Sequence, residues 1–288
     1  MGNNGIDMHT HSNYSDGDHT PDQLILKGKK SGLKIMAITD HDTLLGNQNI
    51  TLSRKEKEGI IIIPGIELSA YSNSGRMHIL GYDIDIYNET LNNKTIELKN
   101  KSLYSVIELI TQLKKDYNIV FKTEDIQRII NAVGNIGRPD LARLCIKYGY
   151  SSTINEAFDK YLQSAYQKTK NTNKGISYQE CIDLINTAGG IAVLAHPNTL
   201  NLSDEKLETQ IKNMIECGLR GIEVYHSNHT VEETKKYLLL AEKYNLLVSG
   251  GSDYHGPHTK PDIHLGTGKN NNLKIKQLTL LEHLQKRL

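Results

Sequence analysis

Apolar residues in this chain fall into short runs separated by amphipathic stretches, and run after run stops on a histidine or a carboxylate. The first run opens the segment Ile6 to Gly17, IDMHTHSNYSDG. Side chains two apart on a strand share a face, so His9 and His11 look the same way, and Asp16 can swing in from the loop. Thr20-Pro21 reads as an N-cap with proline in the first turn. Leu24, Ile25 and Leu26 then sit in a helix that Gly32 ends. The strand Lys34 to Thr39 follows and runs into Asp40-His41-Asp42. A helix through Leu52 and Glu58 leads to the apolar run Ile60 to Ile63, then Pro64-Gly65 and Ile66-Glu67-Leu68. This order of strand, helix, strand, helix, strand predicts a parallel sheet with helices outside it. Met77 to Tyr82 adds a strand carrying His78.

From about Ile86 to Lys174 the period lengthens to that of helices, with Ile96, Leu103, Val106, Ile107, Ile110 and Leu113 on one stripe that reads as the core of this segment. A short strand at Ile119 to Phe121 is the one candidate here. Thr123 caps a second helix, Asn135-Ile136-Gly137 breaks it, Arg138-Pro139 starts a third, and Ser152 caps a fourth. The polar stretch Lys168 to Gly175 returns the chain to its main body. The strand and helix rhythm then resumes. A helix from Ser177 to Ala188 stops at Gly189-Gly190, strand Ile191 to Ala195 ends in His196-Pro197, and strand Ile222 to Tyr225 ends in His226. Strand Leu246 to Ser249 opens into GGSDYHG, and a last helix around Leu278 to Leu284 is expected outside the sheet. The expected organisation is residues 1–85 and 175–288 as two parts of one main body, with 86–174 as a helical insertion.

Length and composition narrow the class. At 288 residues, 38% hydrophobic and 23% charged, the chain can bury one large core and a small insertion. A formal charge of +1 leaves no global basic field for nucleic acid, so an anionic ligand needs a local site, which bound metals would supply. Cys145, Cys181 and Cys217 are odd in number and lack C-x-x-C spacing, which argues against a disulfide framework or thiolate zinc site and for a reducing cytoplasm. No basic-then-apolar leader, membrane-length run or myristoylation pattern is present, so no membrane association is expected.

An isolated H-x-H more often lines one face of a strand than it binds an ion, and a single buried histidine is more often structural than a ligand. Here, however, His9, His11, His41, Glu67, His78, His196, His226, Asp253 and His255 all stand at strand ends, where barrel enzymes assemble their metal sites. Mixed imidazole and carboxylate donors suit zinc, manganese or iron, and carboxylates can bridge two ions, so two to three divalent ions are expected.

These motifs resemble the PHP (polymerase and histidinol phosphatase) family of metal-dependent phosphoesterases: DMHTHSNYSDG, ITDHD (Ile38 to Asp42), PGIELS (Pro64 to Ser69), the His78 strand, LAHP (Leu194 to Pro197) and GSDYHG (Gly251 to Gly256). The resemblance implies an α/β fold, a distorted (β/α)7 barrel. It implies that His9, His11, Glu67 and Asp253 hold one metal, that Glu67 bridges to a second held by His78 and His196, and that Asp16, His41 and His255 hold a third. The family often has histidine where this chain has Asp16. A helical insertion with GRPDLAR at Gly137 to Arg143 is similar to the branch that cleaves nucleoside 3',5'-bisphosphates or trims short RNA from its 5' end.

The expected activity, as the resemblance implies, is hydrolysis of a phosphomonoester of a small nucleotide, a nucleoside 3',5'-bisphosphate, or trimming of short 5'-phosphorylated oligonucleotides, by attack of metal-bound hydroxide. Glu67, Asp253 and His226 are the expected catalytic residues. Arg138, helped by Arg143, is expected on a substrate phosphate that is not cleaved, because arginine offers a bidentate fork, and His226 is a second candidate for substrate contact. No obligate protein partner is indicated. Alternatives are another phosphatase of the family such as a histidinol-phosphate phosphatase, a metal-dependent amidohydrolase, which usually wants a lysine at a strand end that is missing here, or a non-enzymatic metal-binding regulatory domain. Asp40 and Asp42 either orient His41 or face solvent. His19, His229, His258, His264 and His283 fall off the pattern and are expected at the surface.

Overall fold

The computed structural model describes residues 5–131, 136–169 and 175–285. The chain separates into two compact units, Met1–Asn92 with Ile176–Leu288, and Asn93–Gly175. The first unit is built on a seven-stranded sheet whose strands neighbour one another in chain order. Its elements are β1 (Gly5–Asp7), α1 (Pro21–Lys30), β2 (Leu33–Ile38), α2 (Leu45–Gln48), β3 (Ile61–Ala70) and β4 (Met77–Tyr82). They continue with α3 (Tyr178–Thr187), β5 (Ile191–Leu194), α4 (Asp204–Glu216), β6 (Gly221–His226), α5 (Val231–Lys243), β7 (Leu247–Gly251) and α6 (Thr279–Gln285). The Thr20 cap acts as the sequence suggests. Thr20 and Gln23 form a reciprocal capping box at α1, and Thr230 and Glu233 do the same at α5.

The sheet is a nearly closed, distorted (β/α)7 barrel. Its pairings are parallel except β3 with β4 and β4 with β5, which are antiparallel. Partner residues in the ladder share a face. One file of them, Glu67, Leu80 and Val193, points inward, as do Gly65, Tyr82 and Ile191. Below the rim Leu80, Tyr82, Ile191 and Val193 form an apolar cluster with Ile6, Met8 and Ala37. Leu278, Leu280, Leu281 and Leu284 belong to the same cluster. The C-terminal helix is therefore part of the barrel's interior packing and not an outer layer as expected, because its leucines find more apolar surface to bury there. On the outer side, α1 packs Leu24 and Ile25 against Met36 and Ile38.

Strand β3 runs unbroken through Pro64-Gly65. Pro64 pairs with Ile38 of β2, and from Gly65 onward the strand pairs with β4 while Glu67 still bridges to His41 beyond β2, so the missing N–H of proline falls where the β4 pairing begins. The helix expected through Leu52 and Glu58 is only a series of turns over residues 54–59. Ser53 and Glu56 cap a first turn there, but Gly59 at φ 85° ends it before a helix is established.

The second unit carries the helices Glu89–Tyr117, from Asn93 onward, Thr123–Ile130, Arg138–Lys147, Ile154–Ala157 and Gln163–Thr169. Its own core includes Val106, Leu109, Leu113, Leu141, Cys145 and Leu162. Residues 119–121 form no strand. The N–H groups of Val120 and Lys122 donate instead to the hydroxyls of Tyr150 and Tyr148, at 3.2 and 2.9 Å. Lys122 rather than Thr123 stands at the N-cap of the second helix, and Thr153 rather than Ser152 caps the short helix at Ile154. The break predicted at Asn135, and residues 170–174 of the polar return, lie outside the described residues.

Closure of the barrel brings β7 onto β1. The Met8 N–H donates to Gly250 O at 3.1 Å and the Asp253 N–H to His9 O at 2.8 Å. A Cβ on Gly251 would lie 2.3 Å from the backbone nitrogen of His9, so this approach is open only to glycine. Gly251→Ala should accordingly cost about 2 kcal/mol or more of stability, the scale of a backbone-level overpacking, read as a lower midpoint in urea unfolding.

Candidate metal centre

The barrel's upper rim collects the histidines and carboxylates that the sequence leaves at strand ends. His9 and His11 follow β1, Asp16 lies in the loop beyond, His41 follows β2, and Glu67 projects inward from β3. Strand β4 runs the opposite way, so its second residue, His78, arrives at the same rim. His196 follows β5, His226 ends β6, and Asp253 and His255 follow β7. Every one of these residues belongs to the first unit.

Glu67 is the meeting point. Its Oε1 lies 2.8 Å from His78 Nδ1 and 2.9 Å from His196 Nε2. Its Oε2 lies 3.2 Å from His9 Nε2, 3.3 Å from His11 Nε2 and 3.0 Å from His41 Nδ1. Asp253 Oδ1 is 3.6 and 3.4 Å from the same two Nε2 atoms of His9 and His11. Across the rim, His255 Nε2 is 3.1 Å from Asp16 Oδ1, and His41 Nε2 is 3.9 Å from Asp16 Oδ2.

Four sets of donors have all their ligating atoms within 4.8 Å of one another: His11, Asp16, His41 and His255; His9, His11 and Glu67; His9, His226 and Asp253; and His41, Glu67 and His78. The fit to a cation can be tested on orphaned atoms. His9 Nε2, His11 Nε2 and Glu67 Oε2 are buried, converge on one another, and have no hydrogen-bond partner. Buried polar atoms are rarely left so. Ligand atoms about 2.1 Å from a tetrahedral ion lie about 3.4 Å apart, which is the spacing found between these atoms. The donor set therefore fits divalent ions.

Electrostatics point the same way. Burial alone would raise the pKa of Glu67, but His41, His78 and His9 outweigh it and hold the carboxyl well below its usual range. Asp253 is likewise held low against burial by Lys260, His255 and His9. Burial pushes His41 down to about 3 and His196 to about 4, which keeps both rings neutral, the form that ligates. His11 goes the other way. Burial would lower it, but its contacts with Asp253 and Glu67 raise it to about 9.

Three strand ends pay for this geometry in backbone strain. Asp42, His196 and Asp253 have φ of 51°, 23° and 57°, a region unfavourable for residues with a side chain. Buried carboxylates hold the surrounding loops. Asp40 accepts from the Ser12 N–H at 2.7 Å and from the hydroxyls of Ser12 and Ser15 at 2.6 and 2.7 Å. Asp42 accepts from the Ser69 N–H at 2.8 Å. Both are buried and serve as struts for the chain around the ligands, so neither is a solvent-facing residue.

Residues without a place in the sequence pattern also matter. Glu223 is fully buried beside His9, and Asp7 accepts from the N–H and hydroxyl of Ser252, at 2.8 and 2.6 Å, and from the Gly266 N–H at 2.7 Å. An acid inside an apolar strand is the signal that would have found both. Lys260, whose Nζ lies 2.6 Å from Asp253 Oδ2, carried no such signal. His229 is buried and not at the surface. Its Nδ1 donates to Val224 O at 2.8 Å, and its ring packs against His226 and Tyr237. In the second unit, the Arg138 guanidinium lies over the rings of Tyr166 and Phe158, 4.3 and 5.6 Å from their centroids, and Arg143 Nη1 is 3.1 Å from Asp140 Oδ1. Among the described residues no helix is long and apolar enough to cross a membrane.

Comparison with known proteins agrees with this arrangement. The PHP domain family matches residues 7–217. A phosphoribosyl 1,2-cyclic phosphate 1,2-diphosphodiesterase of Eggerthella lenta is 30% identical over 87% of this chain and 94% of its own. The 5'-3' exoribonuclease Rnm of Escherichia coli is 32% identical over 90% of this chain and 87% of its own. A 3',5'-nucleoside bisphosphate phosphatase of Chromobacterium violaceum is 27% identical, over 88% and 87%. A crystal structure from Bifidobacterium adolescentis, assigned as a metal-dependent phosphoesterase, matches with a TM-score of 0.80 at 29% identity, covering 98% of this chain and 96% of the other. A metal-fitting rim on a seven-stranded barrel, matched by family and by relatives over most of its length, establishes that this chain belongs to the PHP domain family and is a phosphoesterase.

Proposed function

We propose that the chain hydrolyses a phosphate ester on a nucleotide, namely a nucleoside 3',5'-bisphosphate or the 5' end of a short RNA, using two to three manganese, iron or zinc ions. His9, His11, Asp16, His41, Glu67, His78, His196, Asp253 and His255 would hold them. The observation that carries this reading is the set of buried, partnerless donor atoms converging on Glu67. The relatives named above support the substrate class, since their names specify a phosphoribosyl cyclic phosphate, RNA and a nucleoside bisphosphate. Ions bound there would acidify a water and take up charge on the phosphoryl oxygens.

The chain's own residues set the rest of the chemistry. Glu67 and Asp253 each face several donor groups at once, which lets one carboxylate serve neighbouring ions. His226 has a different role. Its Nδ1 accepts the Asn228 N–H at 3.1 Å, so the neutral ring carries its hydrogen on Nε2. That atom is buried without a hydrogen-bond partner, 3.4 Å from Asp253 Oδ2. It serves as a donor, either to a phosphoryl oxygen or to the departing ester oxygen. Arg138, with Arg143, binds the phosphate that is not cleaved. Its guanidinium stacks on Tyr166 and Phe158, and its Nη1 lies 3.4 Å from Gln163 Oε1. The odd number and wide spacing of Cys145, Cys181 and Cys217 support a reducing cytoplasm as its compartment.

Elemental analysis of the purified protein should find two to three equivalents of manganese, iron or zinc. Less than one, even after reconstitution, would remove the reading. Glu67→Gln should lower turnover to below about 1% of wild type through lost metal, and near-normal activity with every ion retained would refute its assignment. Arg138→Ala should reduce kcat/KM for a nucleoside 3',5'-bisphosphate by roughly ten-fold or more while sparing a simple aryl phosphate. Equal losses on both substrates would make this arginine a structural residue.

A further inference from the structure

Glu223 stands outside the donor sets that would take up an ion, yet it is fully buried beside them. It projects from the inner face of β6, opposite Ser249 of β7. Its two oxygens do separate things. Oε1 accepts a hydrogen bond from His9 Nδ1–H at 2.9 Å, and Oε2 accepts the backbone N–H of His196 at 2.8 Å. The first contact decides which ring nitrogen of His9 bears hydrogen. With Nδ1–H donated to Glu223, Nε2 presents a lone pair, and Nε2 is the atom that faces Glu67 and Asp253 without a partner. The second contact holds His196 at φ 23° and ψ 69°, a strained backbone that carries its ring to 2.9 Å from Glu67 Oε1.

We infer that Glu223 is a positioning residue of the metal centre, one carboxylate on β6 that sets the ring tautomer of His9 and the backbone of His196 so that the ends of β1 and β5 deliver their donors together. The inference rests on the metal-centre reading proposed above. Carboxylates behind ligating histidines commonly do this for one ring. Here the same group also braces a second strand end.

Glutamine nearly matches glutamate in shape but cannot do both tasks. It offers one acceptor oxygen and one donor amide. If the oxygen meets the His196 N–H, the amide group faces His9 Nδ1, which must then accept, and the ring hydrogen moves to Nε2, the nitrogen needed for the metal. If the amide is turned round, two N–H donors oppose each other at His196.

The test uses the full-length protein. Wild type labelled with 15N-histidine and loaded with cadmium-113 should show cadmium coupling at His9 Nε2 and a hydrogen retained on Nδ1. Coupling at Nδ1, or loss of that hydrogen, would overturn the inference without any variant. Zinc titration of metal-free wild type and Glu223→Gln against a competing chelator should then show one site weakened about 10- to 100-fold, with the far-ultraviolet circular dichroism unchanged. Equal affinity at every site would overturn it. If Glu223→Gln fails to fold, the cadmium experiment on wild type decides. Should wild type itself take up less than one ion, the metal-centre reading fails first, whereas wild type with two to three ions and an equally tight variant defeats only the role of Glu223.

Discussion

A carboxylate kept charged and away from water is the constraint on which this structure turns. Removing an ionised group from water costs many kcal/mol unless opposite charge and hydrogen bonds replace the lost hydration. Glu67 is 0% exposed, and His9, His11, His41, His78 and His196 each bring a ring nitrogen within 3.3 Å of it. Those rings come from β1, β2, β4 and β5, so satisfying one side chain requires the strands to be assembled in their final order. The remaining partnerless lone pairs are what a divalent ion would neutralise.

The barrel below supplies the rigidity this requires. Its interior packs Leu80, Tyr82, Ile191 and Val193 with Ile6, Met8 and Ala37, and the C-terminal helix adds its leucines to that packing. Above this layer the polar groups are tied mainly to backbone. Asp7, Asp40, Asp42 and Glu223 all accept main-chain N–H groups from strands and loops that carry candidate ligands. Loops held in this way can keep Asp42, His196 and Asp253 in strained conformations that a free loop would relax. The ring states follow from the same ties. On the proposed reading, His9 donates through Nδ1 to Glu223 and would offer Nε2 as a ligand, whereas His226 accepts at Nδ1 and would offer Nε2–H as a donor. Two histidines at one rim would thereby take opposite chemical roles from what lies behind them.

Much of this is legible along the chain. Alternation places His9 and His11 on one face, the apolar runs announce the barrel strands, and Thr20 and Ser177 mark helix starts, because each of these signals acts within a few residues. The presence of histidines and acids at strand ends was likewise a local pattern. What the chain alone could not show depends on partners distant in sequence. The antiparallel turn of β4, which brings His78 to the rim, is decided by pairing with β3 and β5. The segment at 119–121 is extended in pattern but has its N–H groups taken by tyrosines some thirty positions on, at Tyr148 and Tyr150. Glu223 meets His9 across a separation of 214 residues, and Asp7 meets Ser252 across 245. Periodicity determines which residues face inward. Only the closed barrel determines which of those inward residues touch, and hence which nitrogen of each histidine is left to bind.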